Sequence, residues 1–473
     1  MNKTDLLLQV VEDVEFYRDK NDREIFYVEF ENNEGKREFT VLDSESFKSF
    51  LYVKSYEITE GKSELEPDRA VKKLRFLLLF HKCYQDTTVF VRTSGNLTDG
   101  IEYDLQNDSQ DTVKVTEKGW HTSSKKRRFV IPKVSLPQVT PIKTDKTPLE
   151  LLKPFVNIKG DTYILFVIWL IQTFSLGTKY ALWISADKGS GKTTTSKIIK
   201  RLSDPCNFDV TTIPEKKDDL HILLYNSSVC CFDNLNNKSL SNDVSDLFCG
   251  AITGTAIAKR SLFTNKDLTM ATLRNTIVIN GIDVAPARAD LAQRMLLVKM
   301  STLTSTNRRT ESEFWGAFKE AKPEILGSIF NTLSVAMQKM KNLQTNSIAR
   351  IGDAFVEMLA IAQALGISEE RFRQIFDDNK EALEKARSTS PLIESVKEIM
   401  ISLPSRKLQG SANFIFKKVH DKFSGDKSLL PQSASHFTRQ LEKEHGNLLK
   451  NGFRVNIDDT GAQGTQLSII KKK

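Results

Sequence analysis

Hydrophobic and polar positions along the chain fall into three successive patterns. In the first, to about Lys133, Arg23–Asn33 (REIFYVEFENN) and Lys36–Leu42 (KREFTVL) read as paired strands joined through turn residues. Ser44–Tyr56 and Asp68–Tyr84 have helical spacing, while Thr87–Thr93 and Gly100–Leu105 return to strands. This predicts a small N-terminal α+β domain over residues 1–133. Around 134–148 the prolines Pro132, Pro137, Pro141 and Pro148 occur without hydrophobic periodicity, which predicts an extended linker.

The second pattern, over 149–345, alternates apolar runs with helical spacing. Tyr180–Ser185, Phe208–Ile213, Ser227–Asp233, Asn275–Asn280 and Leu296–Met300 read as strands, and Lys192–Leu202, Lys217–Asn226 and Ser245–Ile252 as helices between them. That alternation predicts a parallel sheet with helices on both faces. Tyr163–Phe174 (YILFVIWLIQTF) is too short to cross a bilayer and reads as a buried helix. Thr310 with Glu313 forms a capping box, and after Pro323 the residues Ile325, Ile329, Leu333 and Met337 share one helix face. Two more helices over 346–388 read as a connector.

The third pattern, 389–473, gives helices at Pro391–Leu403, Gly410–Phe423 and Leu430–Gly452. Strands at Phe453–Asp459 and Thr465–Ile470 follow, joined by TGAQG. Three helices and a hairpin are the winged-helix order, in which the third helix enters the major groove. Ser433, Ser435, His436, Arg439 and Lys443 could face it, with His436 and Arg439 the leading DNA contacts. Protein docking is the other use of such a unit.

Composition sharpens this only slightly. The 473 residues are 40% hydrophobic and 27% charged, ordinary for a globular chain. A net charge of +8 favours polyanionic partners. The five cysteines include no CxxC pair, so neither a zinc site nor a disulfide framework is expected, and a reduced, cytoplasmic setting fits. The acid-containing N-terminus does not read as a signal peptide, and no membrane association is expected. Lys125, Lys126, Arg127 and Arg128 form a charge run, either a solvated face or a phosphate-contacting patch.

The chemistry concentrates in WISADKGSGKTTTSKIIK, Trp183–Lys200. A strand, a tight glycine turn and a helix start are the parts of a phosphate cradle, in which backbone N–H groups and the helix dipole hold the phosphates. Ala186, Asp187, Lys188, Gly189, Ser190, Gly191, Lys192, Thr193 and Thr194 would line it. Lys192 is expected to reach the terminal phosphates of ATP, and Thr193 to ligand Mg2+. Ala186 stands where the first glycine is usual, and a small residue suffices there. Asp233, ending an apolar strand, supplies the second magnesium carboxylate. Asn234 follows it where many ATPases carry a catalytic Glu; Asn can orient a water but cannot be a base. Asp246 is a lesser carboxylate candidate.

Ile257–Phe263 and Leu268–Leu273 flank the turn TNKD with Lys266 near its tip, and then come a strand ending at Asn280 and a late Arg294. In this order the stretch from about Thr147 to Met340 resembles the superfamily-three helicases of the AAA+ class, and more closely the helicase-like replication ATPases of phages and bacterial mobile elements. The resemblance implies an AAA+ P-loop core. It implies that Asn280 is the sensor of the γ-phosphate or its attacking water, and that Arg294, with Arg288 as second candidate, is the arginine finger reaching the next subunit. Lys266, Lys259 and Arg260 would grip single-stranded or forked DNA in the pore of a homo-hexamer. The expected function is an ATP-dependent DNA helicase acting in replication. The alternatives are an origin-binding initiator or loader without processive unwinding, which Asn234 suits, and a defence or regulatory ATPase.

Overall fold

The computed structural model describes residues 2–20, 22–32, 34–124, 129–186, 189–235, 239–254, 256–260, 268–281, 288–302, 309–343, 351–388, 391–424, 427, 430–459 and 465–471. The side chains of 256–260, 268–272, 387, 388, 391 and 459 lie outside the description.

Residues up to Thr87 form one four-stranded sheet, in the order Arg37–Val41, Phe26–Glu31, Glu15–Asp19, Gln85–Thr87. Helices Lys3–Val10, Glu45–Ile58 and Pro67–His81 cover it through a core that includes Leu6, Val28, Phe47, Leu51, Leu74 and Leu78. The rest of the region read as one α+β domain belongs to another core. Thr93–Asn96, Gly100–Asp104, Thr112–Thr116 and Gly119–Ser123 make an antiparallel meander. Its Ile101, Tyr103, Val113, Val115 and Trp120 are continuous with the apolar cluster of the central region. Thr87–Thr93, expected as one strand, is divided: Thr87 ends the strand beside Asp19, Thr93 begins the meander opposite Tyr103, and between them Phe90 forms a single bridge to Phe129.

The proline-rich stretch is extended, as its composition predicts, but it is docked rather than free. Leu136 N–H bonds Pro205 O at 2.9 Å, Ile142 N–H bonds Pro323 O at 3.0 Å, and Thr144 O accepts from Asn331 Nδ2 at 2.7 Å. Gln138, 3% exposed, donates to Leu202 O at 2.8 Å. This strap runs against Glu311–Met340, one unbroken 30-residue helix in which the capping box Thr310–Glu313 forms in both directions. The sequence pattern divides that helix at Pro323. It continues with Ile325, Ile329, Leu333 and Met337 buried on one side, and the strap's Ile142 N–H bonds the Pro323 carbonyl from outside the helix.

The central sheet is parallel, in the order Val229–Leu235, Thr276–Gly281, Ala181–Ser185, Met295–Lys299. We refer to these as the carboxylate, asparagine, loop and edge strands. Each is nearly wholly buried, which is why each reads as a continuous apolar run. Phe208–Ile213, expected as a further strand, contributes a single parallel bridge from Thr211 to Phe232. Val210 and Thr211 are only half-buried, Thr212 is exposed, and Arg201 holds Asp209 at 2.7 Å, so little drives a longer pairing. The helix Lys192–Ser203 packs against the carboxylate and asparagine strands; Gly160–Gln172 and Glu369–Ser388 pack against the edge strand. Tyr163 and Leu165–Gln172 are buried, as expected for a core helix. No helix among the described residues is long and apolar enough to cross a membrane.

The C-terminal unit has helices at Pro391–Ser402, Ala412–Lys422, Ala434–Lys443 and His445–Lys450. Its three-stranded sheet has the order Lys407–Ser411, Thr465–Lys471, Phe453–Asp459. The expected helices and hairpin are present, with the third helix divided into Ala434–Lys443 and His445–Lys450; the strand Lys407–Ser411 is an addition. Ile393, Leu408, Ile415, Phe437, Leu441 and Ile469 share its core.

Candidate functional site

The residues that carry the chemistry meet at the carboxyl ends of the parallel strands. Register pairs Lys299 with Ser185, Ser185 with Gly281, and Gly281 with Leu235, so the strand ends are level. Connections from the loop and asparagine strands leave toward opposite edges of the sheet. That is the switch point at which open α/β sheets form a ligand crevice.

The loop strand ends at Ser185, and the turn leads into the helix Lys192–Ser203. Gly189 (φ 76°) and Gly191 (φ 91°) both sit in left-handed backbone, where a side chain would be strained. Gly191 caps the helix without any side-chain bond, and the first turn holds no acid. Its first N–H groups and the positive end of its dipole are therefore presented at the turn, with no side-chain cap among the described residues. Lys192 Nζ reaches back across the turn to Ala186 O at 2.5 Å. Ser190 is 1% exposed, and its carbonyl accepts from Asn157 Nδ2 at 3.2 Å. Ala186, Lys192, Thr193 and Thr194 are half-buried around the turn. Asp187 and Lys188 lie outside the described residues. An uncapped helix start, two left-handed glycines and a lysine fit a phosphate chain.

Across the crevice the carboxylate strand bulges between Phe232 and Leu235. Asp233 is 7% exposed. Asn234 is exposed and adopts φ 55°, a conformation asparagine tolerates better than most non-glycine residues. Its N–H bonds Asp233 Oδ1 at 2.7 Å and Asn280 Oδ1 at 3.3 Å. Asn280, 1% exposed, donates from Nδ2 to Ser196 Oγ at 2.9 Å. One buried amide thus ties the loop helix to the backbone at Asn234. Ser196 is absent from the residues the sequence pattern picks out; its only signal is its place one turn after Lys192.

The far end of the loop helix is anchored by buried charge. Lys200 Nζ bonds Asp204 Oδ2 at 2.8 Å and Val229 O, the first residue of the carboxylate strand, at 2.7 Å. Asp204 also accepts from Ser228 N–H at 2.9 Å and Val229 N–H at 3.1 Å, and lies 3.6 Å from Arg92 Nε. Arg92, fully buried, donates to Leu136 O and Pro205 O at 3.0 and 2.9 Å. Burial opposes both charges. The Asp204 carboxylate nevertheless raises the Lys200 pKa, while Lys200 and Arg92 hold Asp204 below the usual carboxylate range.

Arg294 is not at this crevice. It immediately precedes the edge strand, and its carbonyl accepts from Ala181 N–H at 2.9 Å, at the start of the loop strand. Four strand rises, about 13 Å, separate that level from the strand ends. Its guanidinium, 14% exposed, pairs with Asp290. Lys380 Nζ holds the carbonyls on either side of it, Gln293 O at 3.1 Å and Met295 O at 2.7 Å. Asn379 brackets the edge strand through Leu297 N–H at 3.0 Å and Leu297 O at 2.7 Å. Burial lowers the Lys380 pKa to about 7 against the pull of Glu384. Arg288 pairs with Asp246, so the lesser finger and carboxylate candidates engage each other.

The basic hairpin has strands Ala256–Arg260 and Leu268–Thr272, antiparallel as expected. Lys266 and the side chains of Lys259 and Arg260 lie outside the described residues, as do Lys125–Arg128 and the 460–464 loop. In the C-terminal unit Ser433 caps the helix Ala434–Lys443 through His436 N–H at 3.3 Å. Ser435, His436, Arg439 and Lys443 lie on the side away from buried Phe437 and Leu441.

Residues 149–381, just under half of the chain, match the family model described as actinomycete integrative conjugative element replication protein. That span holds every residue of the strand-end cluster and both residues of the Asn379–Lys380 clamp. No curated protein matches the chain. Among solved structures, an apo form of the NrS-1 C-terminal region is similar at 12% identity over 99% of each chain, with a TM-score of 0.39. A JCV helicase is similar at 13% identity over 50% of this chain and 64% of that one, with a TM-score of 0.26. Likeness that loose transfers no residue roles.

Proposed function

We propose that the chain is an ATP-dependent DNA helicase, or a closely related replication ATPase, that works as a homo-hexameric ring on single-stranded or forked DNA. It would serve replication of a mobile element or phage in the cytoplasm of its host. The observation that carries this reading is the strand-end cluster. Gly189, Gly191 and Lys192 face Asp233, Asn234 and Asn280 across one crevice, and Asn280 bridges its two walls. The match of 149–381 to mobile-element replication proteins supports the nucleic-acid side.

Lys192 and the N–H groups of the loop helix would hold the phosphates of ATP, and Thr193 and Asp233 its Mg2+. Bound there, ATP supplies a transferable phosphoryl group. Asn280 and the Asn234 carboxamide would orient the attacking water, which no carboxylate at position 234 deprotonates. Arg294 sits too far from its own crevice to act in cis, which supports a role across a subunit boundary. A guanidinium there is worth orders of magnitude in rate. Lys266 on the hairpin, with Lys259 and Arg260, would grip the strand, and the C-terminal unit, read as a winged helix, would meet DNA through His436 and Arg439.

The test is DNA-stimulated ATP hydrolysis paired with unwinding. Lys266→Ala is expected to abolish unwinding with ATPase largely intact; surviving unwinding would remove the pore assignment. A second reading, an ATP-assembled initiator or loader, is favoured by Asn234. It predicts ATP-dependent assembly on DNA without strand displacement. No response to DNA at all excludes both.

A further inference from the structure

The helix Pro67–His81 uses one side for the N-terminal core, burying Ala70, Val71, Leu74 and Leu78. The opposite side carries large apolar groups in water: Phe76 is 65% exposed, Leu79 50% and Phe80 82%. Single exposed apolar side chains are common, but three on one face within two turns form a patch. From Arg69 to Lys82 the chain has five Lys or Arg and no acid. Arg75 is committed to Asp43 and Glu24 O, and Arg69 to Glu66. Among the described residues Lys72, Lys73 and Lys82 have no carboxylate partner; Lys73 rests on the Thr4 hydroxyl. The face is therefore aromatic at its centre and cationic at both ends.

We propose that this face is a single-stranded nucleic-acid platform, separate from the crevice and the hairpin. Phe76 and Phe80 would stack unpaired bases, and Lys72, Lys73 and Lys82 would contact the flanking phosphates. The two rings are four residues apart, which puts their Cβ atoms about 5–6 Å apart on one line of the helix. Successive unstacked bases can each use one ring, and stacking is tolerant of sequence. The charge argues for a polyanion: an apolar protein partner needs no lysines at both ends of the patch.

The test uses the full chain carrying Lys192→Ala, without ATP or Mg2+, so that failure of the ATPase reading does not affect it. Binding of a fluorescent oligo-dT is followed by anisotropy over a salt series. Phe76→Ala with Phe80→Ala is expected to weaken binding by about 5-fold or more per ring. Lys72→Gln with Lys73→Gln and Lys82→Gln is expected to flatten the salt slope by about 0.7 for each phosphate no longer neutralised. All five side chains are at the surface, so thermal unfolding is expected to match the parent. Ultraviolet crosslinking is expected to place oligo-dT on the 69–82 peptide. Unchanged affinity and slope, or no crosslink there, overturns the proposal. So does sedimentation with anionic vesicles that depends on the two phenylalanines while oligo-dT binding does not.

Discussion

Asp204→Asn removes the carboxylate that, among the described residues, pairs with both Lys200 and Arg92, two buried cations. Asp204 is 2% exposed and accepts from Lys200 Nζ and from two backbone N–H groups. Taking one partner from a buried ion pair costs about 3–5 kcal/mol, because the remaining charge is left uncompensated. That is a large part of the roughly 5–15 kcal/mol that holds a domain folded. At about 2–4 °C per kcal/mol for a domain of this size, the melting temperature should fall by roughly 6–20 °C at neutral pH. Lys200→Met should cost less, since Asp204 keeps Arg92 and both N–H groups. The pH dependence carries a sign. Asp204 is depressed in the folded state, so its contribution is complete above the unfolded value of about 3.9 and is lost as pH falls through the lower folded value. The gap between parent and Asp204→Asn should therefore narrow below about pH 4. Calorimetry from pH 7 to 3 checks both points. A melting temperature within about 2 °C of the parent, or a gap constant across that range, would refute the reasoning.

Asn280→Ala removes the link between Ser196 and Asn234 N–H; a fluorescent ATP analogue should still bind while hydrolysis falls by at least about 10-fold, and equal rates would contradict the bridge. Lys192→Ala and Arg294→Ala should each be inactive alone, yet mixing them should restore hydrolysis at roughly one interface in four by random assortment in a ring. No recovery on mixing would place Arg294 outside the neighbouring site. Gly327→Ala puts a Cβ 1.7 Å from Ile142 O, so the strap must shift; urea unfolding should show a loss of at least about 1–3 kcal/mol.

What the sequence made legible is chemistry at the ends of buried strands. Asp233 and Asn280 each close a continuous apolar run, and the glycines follow another, so pattern and polarity change together at the point that matters. The docked strap was not legible, because proline density reports an extended backbone and says nothing of what the backbone touches. Strands Thr112–Thr116 and Gly119–Ser123 carry a weak signal because they are short: TVKVT alternates but offers only two apolar positions, and GWHTS only one large one. The charged anchor could not be read at all. Arg92 meets Asp204 from more than a hundred residues away, and a lysine in a helix ordinarily signals solvent. Asn234 read as a missing base. The backbone gives it a second meaning, as a residue suited to the left-handed turn of the bulge.

In the proposed function, ATP hydrolysis in the crevice between Lys192 and Asp233 separates DNA strands. Strand displacement on a labelled fork, with ATP, tests it most directly. The account predicts displacement by the parent chain, none by Lys192→Ala, and none by the parent when ATP is replaced by a non-hydrolysable analogue. Displacement by Lys192→Ala, or a parent chain that hydrolyses ATP on the fork yet leaves it paired, would contradict it.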